Sequence, residues 1–345
     1  MVRRIRALVT VGGEFVGAAP DFDVESFWLN ATEDVVAHLE AVLGVPVSVL
    51  RLERTTEARR SGDLVVYQVE AEAMPRVPLD RSVDHDFPDH PLRVPWARPG
   101  GPRSLVEWAD RHVTRTGPAV QVKTWHLSCV YRLPTDRGPV WAKAFPGFVA
   151  DEAAVIALVR EVDPTLVPEV IASEPGRVLL ADVPGEDCWN PTPEVIADVV
   201  PRLVAVQHAL AGPARSRVRG IDVPDFGLPD TLLHGDFHPG NWRSSGVVLD
   251  WADAHWGNPA LDVGRLLGFV DPASHPLIER TWADAWLAHR PDSDPHQAIR
   301  HGRHASHLLG ALVYQDFLDH IEPSERVYHE GDPAAERAKA QASLP

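Results

Sequence analysis

The chain has little cysteine and almost no lysine. Cys129 and Cys188 stand far apart and outside any metal-type spacing. A disulfide framework is therefore not expected, and a reducing cytoplasm is the expected compartment. The only lysines are Lys123, Lys143 and Lys339. Arginine supplies the rest of the positive charge, so a lysine inside an apolar strand stands out. Long apolar runs are missing too, since no stretch approaches the ~20 residues of a membrane span. The basic start Arg3-Arg4-Ile5-Arg6 leads into Ala7–Val11, but Gly12, Gly13 and Glu14 cut that run short, so no signal peptide is expected. Positive charge is in deficit, with 33 basic against 49 acidic residues and a formal charge of -16. That balance argues against a nucleic-acid partner and against docking on an anionic membrane. It is compatible with a cationic substrate.

What remains is a globular composition, with 44% hydrophobic residues over 345 positions, enough for two or three compact units. Residues 1–72 read as a small α/β module. Its strands are expected at Arg6–Val11, Val45–Leu52 and Asp63–Glu72. A helix is expected from about Glu33 to Gly44, behind the cap-like Asn30-Ala-Thr-Glu33. Residues 73–103 form a connector with seven prolines between Pro75 and Pro102, where a domain boundary is expected. A short helix is predicted at 104–115. Strands follow within 119–133 and 139–145, then a helix at about 151–161 and a strand at Arg177–Ala181. From about 191 the pattern is mostly helical, apart from one motif-rich segment at 231–264.

That segment contains Leu233-His-Gly-Asp-Phe-His-Pro-Gly-Asn-Trp242, followed by Val247-Val-Leu-Asp250. Phosphoryl transfer to a hydroxyl needs a carboxylate to orient the hydroxyl and take its proton, ligands that hold Mg²⁺ against the phosphates, and a cation on the α/β-phosphates. Mg²⁺ prefers hard oxygen ligands. Asp236 and Asn241 are five residues apart, the Asp-to-Asn interval of the protein-kinase catalytic loop. Val247–Leu249 is expected as a short strand that delivers Asp250, with Ser244-Ser-Gly246 as the hairpin turn before it. A Walker-type G-x-x-x-x-G-K loop is absent, so P-loop kinase chemistry does not explain the motif.

The H-G-D-x-x-x-x-N motif followed by an apolar run and Asp resembles the aminoglycoside phosphotransferase/choline kinase family, over roughly residues 105–335. The resemblance implies an α+β, bilobal protein-kinase-like fold, here with an additional N-terminal α/β module. The expected domains are 1–72, the connector 73–103, an N-terminal lobe at 104–182 and a helical C-terminal lobe at 183–345. The resemblance also implies a small-molecule kinase that uses ATP or GTP with Mg²⁺. Asp236 would be the catalytic carboxylate, and Asn241 and Asp250 the metal ligands. Lys143, in the apolar Val140–Phe145, would contact the nucleotide phosphates, paired with Glu152 on the next helix. Ser128 would offer its N–H and hydroxyl to a phosphate from the 125–132 hairpin, which departs from the kinase pattern by having no glycine. Ala181 and Val183 would bind the purine edge at the hinge. His234 and Asp262 would be structural supports of the catalytic loop.

The acceptor is expected to be a small molecule. Tyr314, Asp316, Asp319, Glu322, Glu325, Tyr328 and Glu330 form an acidic, aromatic-containing stretch near the C-terminus. With the net charge, it points to an amine-bearing alcohol or sugar, with Asp316, Asp319 and Tyr328 as candidate contacts. Two histidine groups, Asp84–His90 and His301/His304/His307, are read as surface or cleft lining. Three-residue spacing on a helix drifts by about 60° per step, which does not converge on a metal. A nucleotide-binding pseudokinase and a protein Ser/Thr kinase are the alternatives; the second lacks an A-P-E-like element after Asp250. The N-terminal module carries no catalytic constellation. It is expected to pack on the N-terminal lobe or to mediate self-association as a homodimer.

Overall fold

The computed structural model describes residues 2–26, 28–55, 64–212, 221 and 223–344. The chain packs as two compact units. One comprises Met1–Gly147, Ile171–Ala181 and Leu318–Glu330, and the other Phe148–Val170, Asp182–Phe317 and Gly331–Pro345.

The first unit holds two five-stranded sheets. Strands β1 (Val2–Val11), β2 (Glu14–Ala18) and β3 (Phe22–Glu25) precede α1 (Glu33–Leu43), then come β4 (Val47–Thr55) and β5 (Leu64–Ala71). The order is β2-β1-β5-β4, with β3 also on β1. β1 and β5 run parallel, and α1 lies between β3 and β4 in the chain. Helix α1 turns Val35, Val36, Leu39 and Leu43 inward, where they meet Ile5, Val9, Val49, Tyr67 and Val69. That spacing is a helical apolar stripe against alternating strand positions. The two short strands β2 and β3 were not legible in the sequence.

Helix α2 (Gly101–Ala109) follows the proline-rich stretch. The second sheet is β6 (Val120–Trp125), β7 (Ser128–Leu133), β8 (Val140–Ala144), β9 (Val170–Glu174) and β10 (Arg177–Ala181), in the order β6-β7-β8-β10-β9. The Gln121 amide joins the two sheets by imitating a backbone. Its Oε1 accepts from Val49 N at 2.8 Å, and its Nε2 donates to Val49 O at 2.8 Å. Thr32 N donates to Val122 O, and Thr124 N to Asn30 O. The connector packs here as well, through Trp96 Nε1–H to Trp125 O at 2.8 Å and Gly100 N to Glu70 Oε2 at 2.6 Å. The sequence reading divided residues 1–147 at that connector, whereas these bonds place both sides in one unit. One of the boundaries between the two units falls between Ala181 and Asp182.

The segment Leu318–Glu330 also belongs to the first unit, with a 3₁₀ helix at Pro323–Tyr328. Glu322 accepts from Arg51 Nη1 at 3.0 Å and from Arg93 Nη2 at 2.8 Å, and all three side chains are buried. Glu325 accepts from Leu52 N at 3.2 Å and lies 3.6 Å from His126 Nδ1. Tyr328 packs on Trp125 and His126. The acidic stretch read as an acceptor wall is therefore divided. Glu322 is an ion-pair partner within the first unit, where Arg51 and Arg93 far upstream neutralise its charge, and Glu325 and Tyr328 pack in the same unit. Such a pair is costly to break from one side, about 3–5 kcal/mol.

Glu325 gives a pH prediction. Burial pushes its carboxyl up to about 8, with Glu322 adding to the rise, while the Leu52 N–H and Arg51 oppose it. A carboxyl raised on folding adds stability below its unfolded value, and that stability is lost as pH rises through the folded one. Unfolding free energy should therefore fall between about pH 5 and 8, by up to about 1.4 kcal/mol per unit for this one proton. Glu325→Gln keeps the oxygen for Leu52 and should flatten the slope. Urea titrations of both proteins at pH 5, 6.5 and 8 check this, and parallel pH profiles would contradict it.

The second unit is mainly helical: α3 (Glu152–Val162), α4 (Pro193–Ala209), α5 (Ala260–Leu267), α6 (His275–His289), α7 (Pro295–His320, to Phe317 in this unit) and α8 (Asp332–Ala342). Asp151 caps α3 and Thr192 caps α4, each accepting a backbone N–H from the first turn. A two-stranded ladder, β11 (Thr231–Leu233) with β12 (His255–Gly257), brackets the segment from His234 to Ala254. Helices α5 and α7 meet through glycines. A Cβ on Gly264 would lie 2.2 Å from Gly302 O, and one on Gly302 2.2 Å from Ala260 O. Only glycine permits that approach. Among the described residues, no helix is long and apolar enough to cross a membrane.

Candidate active site

β11 ends at Leu233 and delivers His234-Gly-Asp236. The turn needs Gly235: φ is +86°, and a Cβ there would lie 2.0 Å from Asp253 O. Asp262, on the first turn of α5, holds this turn by its backbone. Its Oδ2 accepts from His234 N at 2.9 Å and its Oδ1 from Gly235 N at 3.0 Å, and Gln207 Nε2 adds a third bond at 2.9 Å. Burial pushes the Asp262 carboxyl up to about 7, opposed by these donors. Asp262→Ala would strip three buried donors of their acceptor. A loss of about 3 kcal/mol or more is expected, since each orphaned donor costs roughly 1–3 kcal/mol. Urea denaturation measures it, and an unchanged midpoint would contradict the support role.

His234 is fully buried, and burial lowers its pKa to about 4. The ring is neutral, and its tautomer follows from its partners. Nδ1 accepts from Asp236 N at 3.2 Å, so the proton sits on Nε2, 2.9 Å from Leu249 O. This ring ties the His234–Asp236 turn to Leu249, just before Asp250. It does not take up a proton near neutral pH.

The arm from Pro239 to Asp250 is a hairpin. Gly246 N donates to Arg243 O and Leu249 N to Asn241 O, each at 2.8 Å, around Ser244–Gly246. The strand expected at Val247–Leu249 reduces to a single bridge, Trp242↔Val248, because Val248 N turns to Leu166 O instead. Asp250 has φ +62°, the only positive φ at a non-glycine among the described residues. Such strain is held in place by its surroundings. Glu152 supplies part of the hold, its Oε1 accepting from Trp251 N at 3.1 Å. The bond found for Glu152 thus supports the Asp250 segment. Lys143 belongs to the first unit, opposite Val130 of β7 and Val178 of β10. It lies on the less buried face of β8, which alternates with Ala142 and Ala144.

The side chains around Asp236 define its chemistry. Asn241 Nδ2 donates to Asp236 O at 2.9 Å and lies 3.5 Å from Oδ2. A carbonyl demands a donor, so this bond fixes the amide orientation and leaves Asn241 Oδ1 as the atom not engaged with Asp236 O. Asp236 Oδ1 accepts from Arg265 Nε at 3.0 Å and Nη2 at 2.8 Å. Asp236 Oδ2 lies 3.3 Å from His238 Nε2. Burial alone would raise the Asp236 carboxyl, but Arg265 and His238 outweigh it and hold the group far below the usual carboxylate range. Asp236 is an anion under all ordinary conditions. Arg265 also reaches Tyr314 Oη at 3.3 Å and lies over the Phe269 ring at 4.5 Å. His238 is stacked between Trp189 and Phe269, both of which remain exposed.

Arg265 was not read as a site residue in the sequence, and Tyr314 was named only within the acidic, aromatic-containing stretch near the C-terminus. The available signal for Arg265 was its position three residues after Asp262 on one helix, which puts both on one face. Ser128 departs from the expected role: its hydroxyl is buried and accepts from Trp125 Nε1 at 3.0 Å, so it is not presented to a ligand. Ala181 ends β10 opposite Val140, and Val183 follows in the second unit. Asp316 lies half-buried on α7, and Asp319 is exposed in the segment assigned to the first unit. The histidines went to packing. His304 bonds Ala340 O, His307 bonds Glu336 at 2.7 Å, and His85 stacks on Phe15. Among the described residues no cluster of three or more His, Cys, Asp or Glu could hold a metal. Asn241 and Asp250 still suit Mg²⁺, which keeps several waters and takes only one or two protein oxygens beside substrate phosphates.

Residues 213–299 match the model of the phosphotransferase enzyme family. No curated protein matches the chain in sequence. Among solved structures, a choline/ethanolamine kinase family protein from Mesorhizobium loti is 14% identical, covers 69% of this chain and 94% of its own, and has a TM-score of 0.50. A choline kinase from Streptococcus pneumoniae is 13% identical, with 70% and 98% covered and a TM-score of 0.49. A macrolide 2′-phosphotransferase from Brachybacterium faecium is 17% identical, with 70% and 97% covered and a TM-score of 0.44. The segment that carries Asp236, Asn241, Asp250, Asp262 and Arg265 thus matches the model of the phosphotransferase enzyme family, in an α+β chain whose fold is similar to that of the Mesorhizobium loti protein.

Proposed function

We propose that the protein is a small-molecule kinase that moves the γ-phosphoryl group of ATP or GTP to an acceptor hydroxyl. The observation that carries this reading is the catalytic turn. Asp262 pins its backbone, Asp236 is held ionised, and the Asn241 amide oxygen is not engaged with Asp236 O. Asp236 orients the hydroxyl. The hydroxyl oxygen forms a bond to Pγ, and the bond from Pγ to the β,γ-bridging oxygen breaks with its electrons on that oxygen. The nucleoside diphosphate leaves, and the acceptor proton passes through Asp236 Oδ2 to solvent. Because Arg265 keeps Asp236 weakly basic, the proton moves late, when the acceptor oxygen is already bonded to phosphorus. Mg²⁺, when bound, neutralises the phosphate charge. Asn241 and Asp250 would hold it, with Lys143 on the α/β-phosphates and the backbone of Ala181 and Val183 at the purine edge.

The acceptor is read as amine-bearing, supported by the charge of -16 and by Asp316 and Asp319 as candidate contacts. The test is a screen of amino sugars, aminocyclitols and amino alcohols with Mg²⁺ and ATP or GTP, followed by ³¹P NMR of the products. A preferred neutral or anionic acceptor would refute the amine reading and leave the kinase reading in place.

A further inference from the structure

We infer that Arg265 is a positioning residue that selects which oxygen of Asp236 meets the acceptor. The inference rests on the phosphotransferase reading above. A carboxylate has two equivalent oxygens, and its terminal torsion is broad and two-fold. Left alone, Asp236 would present either oxygen over a range of angles. Here Oδ1 takes two charge-assisted bonds from one guanidinium, from Nε at 3.0 Å and Nη2 at 2.8 Å. Oδ2 has only the longer approaches of His238 Nε2 at 3.3 Å and Asn241 Nδ2 at 3.5 Å. The carboxylate is thereby divided into an anchored oxygen and a receiving one.

The guanidinium is itself held by two neighbours. The Tyr314 hydroxyl lies 3.3 Å from Nη2, the Phe269 ring covers its face, and its side chain is 17% exposed. Its helix is fixed as well, by the Gly264–Gly302 approach of α5 to α7. The division of labour along α5 is then clear. Asp262 fixes where the catalytic turn lies, through the backbone of His234 and Gly235, and Arg265, one turn later, fixes how the Asp236 side chain points. A lysine could supply the charge at this position but not the two parallel N–H groups.

Water serves as the probe acceptor, so the test does not depend on knowing the natural one. The full chain, Arg265→Lys, Arg265→Ala and Asp236→Asn are compared in Mg²⁺-dependent ATP and GTP hydrolysis, with thermal unfolding recorded for each. Misplacing a reacting group by about 1 Å can cost on the order of 100-fold. Arg265→Ala should therefore lower kcat by about 10- to 100-fold while nucleotide KM stays within about threefold. Arg265→Lys should recover part of the loss. Guanidinium chloride at tens of millimolar should restore Arg265→Ala more than ammonium chloride at equal ionic strength. A parental kcat in Arg265→Ala would overturn the inference. So would a joint fall of kcat, nucleotide affinity and melting temperature in both variants with no guanidinium rescue, which would mark Arg265 as structural only. If the parent and Asp236→Asn hydrolyse nucleotide equally, the kinase reading itself fails, and that result is distinct from either outcome at Arg265.

Discussion

Asp236→Asn is expected to lower phosphoryl transfer by about 10²- to 10⁴-fold, the range for removing a general base. The substitution keeps the shape of the side chain. An amide oxygen at the Oδ1 position can still accept from Arg265, so the turn held by Asp262 should survive. The receiving position becomes an N–H₂ group, which can neither accept the hydroxyl proton nor orient the hydroxyl by accepting its hydrogen bond. Nucleotide affinity should change little, because the proposed metal and phosphate contacts lie on Asn241, Asp250 and Lys143. Turnover close to the parent rate, in a variant with parental thermal unfolding, would remove Asp236 from the chemistry.

Asp250→Ala should raise the Mg²⁺ concentration needed for half-maximal nucleotide binding by at least about tenfold, since it deletes a hard anionic ligand. The backbone adds to the effect. Asp250 sits at φ +62°, a conformation that Asp tolerates better than Ala. Asp250→Asn separates backbone strain from ligand loss: it tolerates the same φ and keeps one oxygen, and it should fall between the parent and Asp250→Ala. Fluorescent-nucleotide binding across a Mg²⁺ titration gives the answer. An identical Mg²⁺ dependence in parent and Asp250→Ala would end the two-ligand model.

Much of the catalytic segment was legible because its information is local. Asp236 and Asn241 lie on one short loop. The hairpin turn at Ser244–Gly246 is set by nearby residues. The strand position of Lys143 is of the same kind. What escaped the sequence depends on partners far along the chain. Arg265 is one of many arginines, and only the tertiary approach of α5 to the turn brings its fork onto Asp236. Glu322 and Glu325 looked like a solvent-facing acidic wall because Arg51, Arg93 and Leu52, more than 200 residues upstream, are invisible to any local pattern. Ser128 sits where a phosphate-covering turn was expected, yet Trp125 claims its hydroxyl. The proline-rich stretch read as a linker, but Trp96 and Gly100 hydrogen-bond into the sheets on either side. Proline content limits helices and strands without preventing packing.

The central claim is metal-dependent phosphoryl transfer at the Asp236 site. Its most direct measurement is release of diphosphate from ATP and GTP by the full purified chain, with Mg²⁺ and then with EDTA, beside Asp236→Asn. The account predicts turnover with Mg²⁺, loss of turnover with EDTA, and loss in the variant while nucleotide still binds. Nucleotide binding without any metal-dependent turnover, or equal turnover in parent and variant, would contradict it.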